Sequence, residues 1–318
     1  FKNKGKEEDA FCAYAISADL ISDISSAGFI RVASLEDIEK IEDWSKLKSE
    51  ELASELFIRY VAQGMLWKID NIFQLSIELY DTKESRIIWA DRWEENWENL
   101  SSIKFNLSDG LLKVLNRKSK IKMKIETTNT EAYEYYLKGK YKYETRKIKE
   151  DTQMAEGFLR KSIELDNNLL SPKNLLGRLY YYIDKNDESK KIWTITLKQA
   201  EEFGDKNMMA NALLGIGNTY HYQADYEKAL PCFYRSIEIY KEIENQGGLG
   251  RAYYWVGIIQ MHYKLDYDKA LEYYSYANKI LKETDNKREL SSSFDLSGHA
   301  YRRQGEYDKA HKCHFEAL

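Results

Sequence analysis

Four glycines, Gly177, Gly217, Gly257 and Gly298, recur at intervals of 40, 40 and 41 residues. Each sits in a similar frame: Leu176-Gly177 with Tyr180, Ile216-Gly217 with Tyr220, Val256-Gly257 with Gln260, and Ser297-Gly298 with Tyr301. A small-residue motif follows three of them, in Asp225 to Phe233, Asp266 to Tyr274 and Gly305 to Ala310. A fixed period of this size marks a repeat architecture, in which each unit buries its apolar face only against its neighbours. Each unit reads as two helices. The glycine lets a neighbouring helix approach closely, and Asp225 and Asp266 stand where a side-chain oxygen can accept from the free amides opening the second helix. Ala229, Ala270 and Ala310 mark the helix crossing, with Phe233 and Tyr274 one turn further along the same face.

The combination of small and aromatic positions at matching offsets resembles the tetratricopeptide (TPR) family over about 190 residues. A period near 40 instead of the usual ~34 predicts longer helices. Some positions depart from the pattern. Gln260 replaces an expected Tyr, and Ser189 and Trp193 make the Gly177 unit look degenerate. Pro231 should kink a predicted helix or shift its start. A weaker first unit begins near Ala132, with Gly139, Leu159 and Ser162 in approximate register and an inter-helix turn about four residues longer through Lys147 to Asp151. Ser171-Pro172 fits a cap followed by a first-turn proline. About five units result, the last one truncated. The resemblance implies an all-α superhelix whose concave groove, lined by the first helix of each unit, binds a protein or peptide. Counting from the glycines places Asn174, Arg178, Tyr181, Asn211, Asn218, Tyr222, Arg251, Tyr254, His262, Asp295, His299, Arg302 and Arg303 on that inner face.

Residues 1–120 have a different character. Phe73, Leu75, Ile77 and Leu79 alternate with Gln74, Ser76 and Glu78, the pattern of a half-buried strand. Tyr60 to Ile69 and Arg86 to Trp93 also read as strands, with turns at Asp70-Asn71 and Asp81 to Ser85, so an antiparallel meander is expected. Phe29 to Ala33 reads as a shorter strand. Asp9 to Ser26, Ser49 to Leu56 and Trp97 to Leu115 read as amphipathic helices, giving an α+β domain. Ala15 to Ser25, Arg31 to Ala33, Ala53 to Gly64, Leu79 to Asp81 and Ile88 to Trp93 resemble the TolB amino-terminal-type domain in its cytoplasmic bacterial form. That family's first strand precedes the Phe1-Lys2-Asn3 segment, so here it is expected to be truncated. The domain order is similar to the carboxy-terminal region of bacterial signalling proteins. This resemblance implies a non-catalytic regulatory region downstream of an adenylate or guanylate cyclase or a Ser/Thr protein kinase. The expected division is a TolB-like domain over 1–120, a linker over 121–130 and TPR-like helices over 131–318.

The 318 residues suit two domains, and a net charge of −4 leaves no basic footprint for nucleic acid. The basic stretch Lys118 to Lys124 reads as linker. Cys12, Cys232 and Cys313 are too few and too dispersed for a disulfide framework, which points to a reducing, cytoplasmic setting. No apolar run reaches the ~18 residues of a membrane span. Phe1 is not a start methionine, so the chain reads as a fragment. His311, Cys313 and His314 with His299 fall short of the four ligands of a structural zinc site. Gly215-Ile216-Gly217 and Gly247 to Gly250 lack the strand and third glycine of a dinucleotide loop. Glu94, Glu95 and Glu98 read as solvated acids near a helix start. No cofactor is expected, and no catalytic motif appears. A small-molecule sensor acting through the first domain is a further expectation, tested by screening nucleotides and metabolites for thermal shifts.

Overall fold

A computed structural model describes residues 1–6, 9–26, 32–69, 72–115, 127–283 and 287–317. They form two compact units, one ending at Leu169 and one running from Leu170. The fold is an α+β region followed by a long run of helices consistent with a TPR superhelix.

In the first unit, β2 (Tyr60–Ile69), β3 (Ile72–Asp81) and β4 (Arg86–Asn96) form the expected antiparallel meander. The alternation in β3 has its predicted outcome: Phe73, Leu75, Ile77 and Leu79 are buried. α1 (Ala10–Ser26) and α4 (Leu100–Val114) cover this sheet's apolar side. Trp97 meets Phe73 edge-on at 5.6 Å between ring centroids, and Gly110 leaves room for Trp89. α2 (Leu35–Glu39) and a 3-10 turn, Trp44–Lys46, were not foreseen. α3 (Ser49–Leu56) packs Leu52 and Ala53 on Val61. A short strand not foreseen from the sequence, β1 (Lys2–Asn3), pairs parallel with Met65 and Leu66. Of the expected strand Phe29 to Ala33, residues 29–31 lie outside the described residues, and Val32 and Ala33 carry no strand. Residues 121–126 of the expected linker and the whole basic stretch Lys118 to Lys124 also lie outside them.

The first helix pair, α5 (Thr130–Thr145) and α6 (Lys149–Leu165), belongs to this same unit. The buried Asp19 of α1 pairs with the buried Lys140 of α5. Tyr14 meets Tyr141 edge-on at 5.3 Å, and Lys68 of β2 reaches Asp9 at 3.4 Å and Glu134 at 3.5 Å. The expected longer turn is absent. Only residues 146–148 separate α5 from α6, the same number as in the later pairs α7–α8 and α9–α10. Of the four surplus residues, three lengthen the start of α6 and one the end of α5, together about one turn of helix. Adding about 3.6 residues returns side chains to the same face, so Leu159 still meets Gly139 and Ser162 still donates to the Ala132 carbonyl at 2.7 Å.

The second unit comprises α7 (Leu170–Tyr182), α8 (Asn186–Phe203), α9 (Lys206–Tyr222), α10 (Tyr226–Glu242), α11 (Gln246–His262), α12 (Tyr267–Glu283), α13 (Lys287–Arg303) and α14 (Tyr307–Glu316). α9 through α13 each have 17 residues, the longer helices that the period predicts. Two such helices with two three-residue intervals make forty; a four-residue turn, 263–266, makes the last interval 41. The glycine rule is steric. A methyl group added at Gly217 would lie 2.4 Å from Phe233, at Gly257 2.6 Å from Tyr274, and at Gly177 2.7 Å from Trp193. The Gly177 unit is therefore not degenerate. Trp193 occupies the aromatic slot, and the buried Ser189 stands for the alanine, donating to the Gly177 carbonyl at 2.9 Å.

Asp225 and Asp266 cap as expected, accepting from the amides of Lys228 and Lys269 at 3.3 and 3.1 Å. Asp205 and Asn245 do the same for the first helices α9 and α11. Ser171 is not a cap, because α7 already begins at Leu170; Pro172 stays in the first turn, where its missing amide proton costs no helical bond. Pro231 does not shift the start of α10. The helix runs unbroken from Tyr226, and the proline forfeits only its own bond to the Glu227 carbonyl.

Candidate functional site

The inner-face candidates collect into three groups. In the first, Asn211 of α9 accepts from the Tyr240 hydroxyl at 2.9 Å. Burial pushes the Tyr240 phenol up to about 12, while Arg251 and Arg178 act in the opposite direction. Guanidiniums from α7 and α11 thus bear on one hydroxyl held by α9. Tyr240 lies on a second helix and is fully buried, so counting along first helices misses it.

In the second group, Tyr181 and Tyr222 meet edge-on with centroids 6.4 Å apart. Tyr222 is 55% exposed. Burial raises the Tyr181 phenol, and the neighbouring hydroxyls of Tyr222 and Tyr254 add to the shift. Tyr254 is less available than the sequence suggests. It is half-buried, with its ring 5.5 Å from Trp255 and 6.4 Å from Tyr274. The side-chain oxygens of Asn174 and Asn218 are buried and, among the described residues, accept no hydrogen bond. His262 is exposed near His221, whose imidazole is lowered first by burial and then by His262.

The third group lies at the far end. Asp295 binds Nδ1 of His314 at 2.9 Å and Nε2 of His299 at 3.3 Å, and Arg302 reaches Nδ1 of His299 at 3.2 Å. His314 fills the aromatic slot against Gly298, where an added methyl would lie 2.6 Å from its ring. The histidine pair is therefore part of helix packing. Arg302 and Arg303 are exposed. Among the described residues, no group of three or more His, Cys, Asp or Glu side chains could hold a metal ion. Gly215 is a packing glycine against Trp193, and Gly248 one against Tyr240. No helix among the described residues is long and apolar enough to cross a membrane.

Residues 168–242 match the tetratricopeptide repeat model. No curated protein matches the sequence. Among solved structures, the Rap protein complexed with Competence and Sporulation Factor is similar, with TM-score 0.52, 20% identity, and coverage of 71% of this chain and 66% of its own. BtubC (BKLC) from P. vanneervenii gives TM-score 0.51 at 15% identity over 70% of this chain and 88% of its own. The Signal Transduction ATPase with Numerous Domains protein with a tetratricopeptide repeat sensor from Pyrococcus horikoshii gives 0.50 at 20% identity, covering 68% and 34%. At these identities the likeness concerns fold. Together with the repeat match, it supports a TPR domain, the kind of domain that serves as a protein-interaction module.

Proposed function

We propose that the second unit binds a protein or peptide segment along the inner faces of α7, α9 and α11. Its support is a set of contacts linking three successive first helices: Tyr181 of α7 meets Tyr222 of α9, and Arg178 of α7 and Arg251 of α11 both bear on the Tyr240 hydroxyl from which Asn211 of α9 accepts. Tyr and Arg are the residue types that most often dominate binding energy, because large rigid or planar groups gain contact area for little ordering cost. The bound segment is therefore one that presents at least one acidic group towards Arg178 and Arg251.

The test is selection of peptides on the chain by display, followed by calorimetric titration of the best ligand. Arg178→Ala and Tyr222→Ala should each weaken binding about tenfold or more, as hot-spot truncations do. Tyr276→Ala, at a 47% exposed tyrosine of the second helix α12, should leave it unchanged. Equal effects from all three variants would refute the inner-face assignment.

A second reading is that the chain is the regulatory part of a signalling enzyme. Its support is the resemblance of the domain order to such proteins; retained regulation of a cyclase or kinase fused upstream, measured with and without residues 1–318, tests it.

A further inference from the structure

Tyr240 of α10 is fully buried, and its ring packs against Gly248 of α11 with no room for a side chain there. Among the described residues its hydroxyl makes one hydrogen bond, to Oδ1 of Asn211 at 2.9 Å. Burial fixes the direction of that bond. A buried O–H without an acceptor costs more than an unused lone pair on a hydroxyl oxygen, so the phenol donates and the amide oxygen accepts. Burial also pushes the phenol up to about 12, so its proton is in place throughout the neutral range.

The consequence falls on the other end of the Asn211 amide. With Oδ1 held by Tyr240, Nδ2 and its two N–H donors lie on the opposite side of the side chain. Asn211 is half-buried, and among the described residues its Nδ2 has no hydrogen-bond partner and is not enclosed, so it reaches solvent. Arg178 of α7 and Arg251 of α11, which bear on the same hydroxyl, also carry donors only. Three side chains from three first helices therefore offer N–H groups. A ligand carboxylate complements them with two acceptor oxygens, whereas the amide of Asn or Gln, of nearly the same size, sets an NH2 group against them. We propose that Tyr240 is a positioning residue: by holding Oδ1 of Asn211, it makes this part of the inner face take a carboxylate and reject the matching amide. Without the phenol, the Asn211 amide can turn over and offer its oxygen instead. The inference rests on the inner-face reading and deepens it by naming the group recognised.

The test uses the full chain, a display-selected peptide containing Asp or Glu, and the same peptide with every Asp and Glu changed to Asn or Gln. Calorimetric titration should show the acidic peptide bound about tenfold or more tightly than its amide counterpart. Tyr240→Phe keeps the ring and removes the hydroxyl. It should weaken the acidic peptide and tighten the amide one, so that the ratio falls about fivefold. Lost packing alone would weaken both peptides together and leave the ratio as it was. Asn211→Asp, at the half-buried position, decides the matter if Tyr240→Phe fails to fold. Its carboxylate still accepts from Tyr240 but turns an oxygen towards the ligand, so the preference should reverse. An unchanged ratio in Tyr240→Phe, or a preference for the acid retained in Asn211→Asp, would overturn this proposal and leave the inner-face reading standing. Display that returns only peptides without acidic residues would sink the acidic ligand of that reading, and this inference with it.

Discussion

Gly217→Ala tests the steric rule that sets the repeat. Substituting alanine for glycine inside a helix ordinarily stabilises it by about 1 kcal/mol. At Gly217 the new methyl would sit 2.4 Å from Cε1 and 2.7 Å from Cδ1 of Phe233, about 1 Å inside ordinary contact. Phe233 has nowhere to retreat. It is fully buried, and its ring stacks on Trp255 at 6.2 Å with 14° between planes. Overpacking of this kind costs about 1–3 kcal/mol, and more where the neighbour is rigid. The net expectation is a loss of about 1–2 kcal/mol once helix propensity is subtracted. Gly157→Ala in α6 is the matched control, since nothing lies within 4 Å of its added methyl; it should gain about 0.5–1 kcal/mol. Urea unfolding followed by far-ultraviolet circular dichroism reads both. Adding Phe233→Leu to Gly217→Ala should cost less than the two single losses combined, giving a coupling of about 1 kcal/mol. A Gly217→Ala protein as stable as Gly157→Ala would refute the reasoning.

Three other perturbations follow from the same geometry. Asp19→Asn leaves Lys140 buried without its charge partner and should destabilise the first unit by about 3 kcal/mol in urea melts; adding Lys140→Met should recover much of the loss. The Arg59 guanidinium holds the Asp81 carboxyl down from 3.8 to about 2. Its contribution is therefore complete above pH 4 and lost as pH falls towards 2, and Asp81→Asn should flatten acid unfolding over that window. Ala224 turns the chain between α9 and α10 with φ 58°, a left-handed conformation costing about 1 kcal/mol for a residue with a Cβ. Ala224→Gly should therefore raise the melting temperature, whereas Gly305→Ala, at φ 81°, should lower it.

The parts of the fold legible in the sequence are those where one residue type performs one local task. Alternation in Phe73 to Leu79 revealed β3, and the glycine interval revealed the helix length. The misreadings arose where two solutions share a spacing. Four extra residues around Lys147 to Asp151 can lengthen a turn or add a turn of helix, and only packing against Gly139 decides between them. Ser189 and Trp193 look unlike Ala229 and Phe233, yet they fill the same volume because a hydroxyl can bond the facing carbonyl and an indole can lie across two glycines, Gly177 and Gly215. Tyr240 escaped notice because its role depends on a partner helix.

The central claim, that the inner side of the array carries the ligand, is tested most directly by site-specific photocrosslinking of a selected peptide from p-benzoylphenylalanine at position 222 or at position 276. The account predicts a crosslinked adduct from position 222 and none from position 276. An adduct from 276 alone, or equal yields from both, would contradict it.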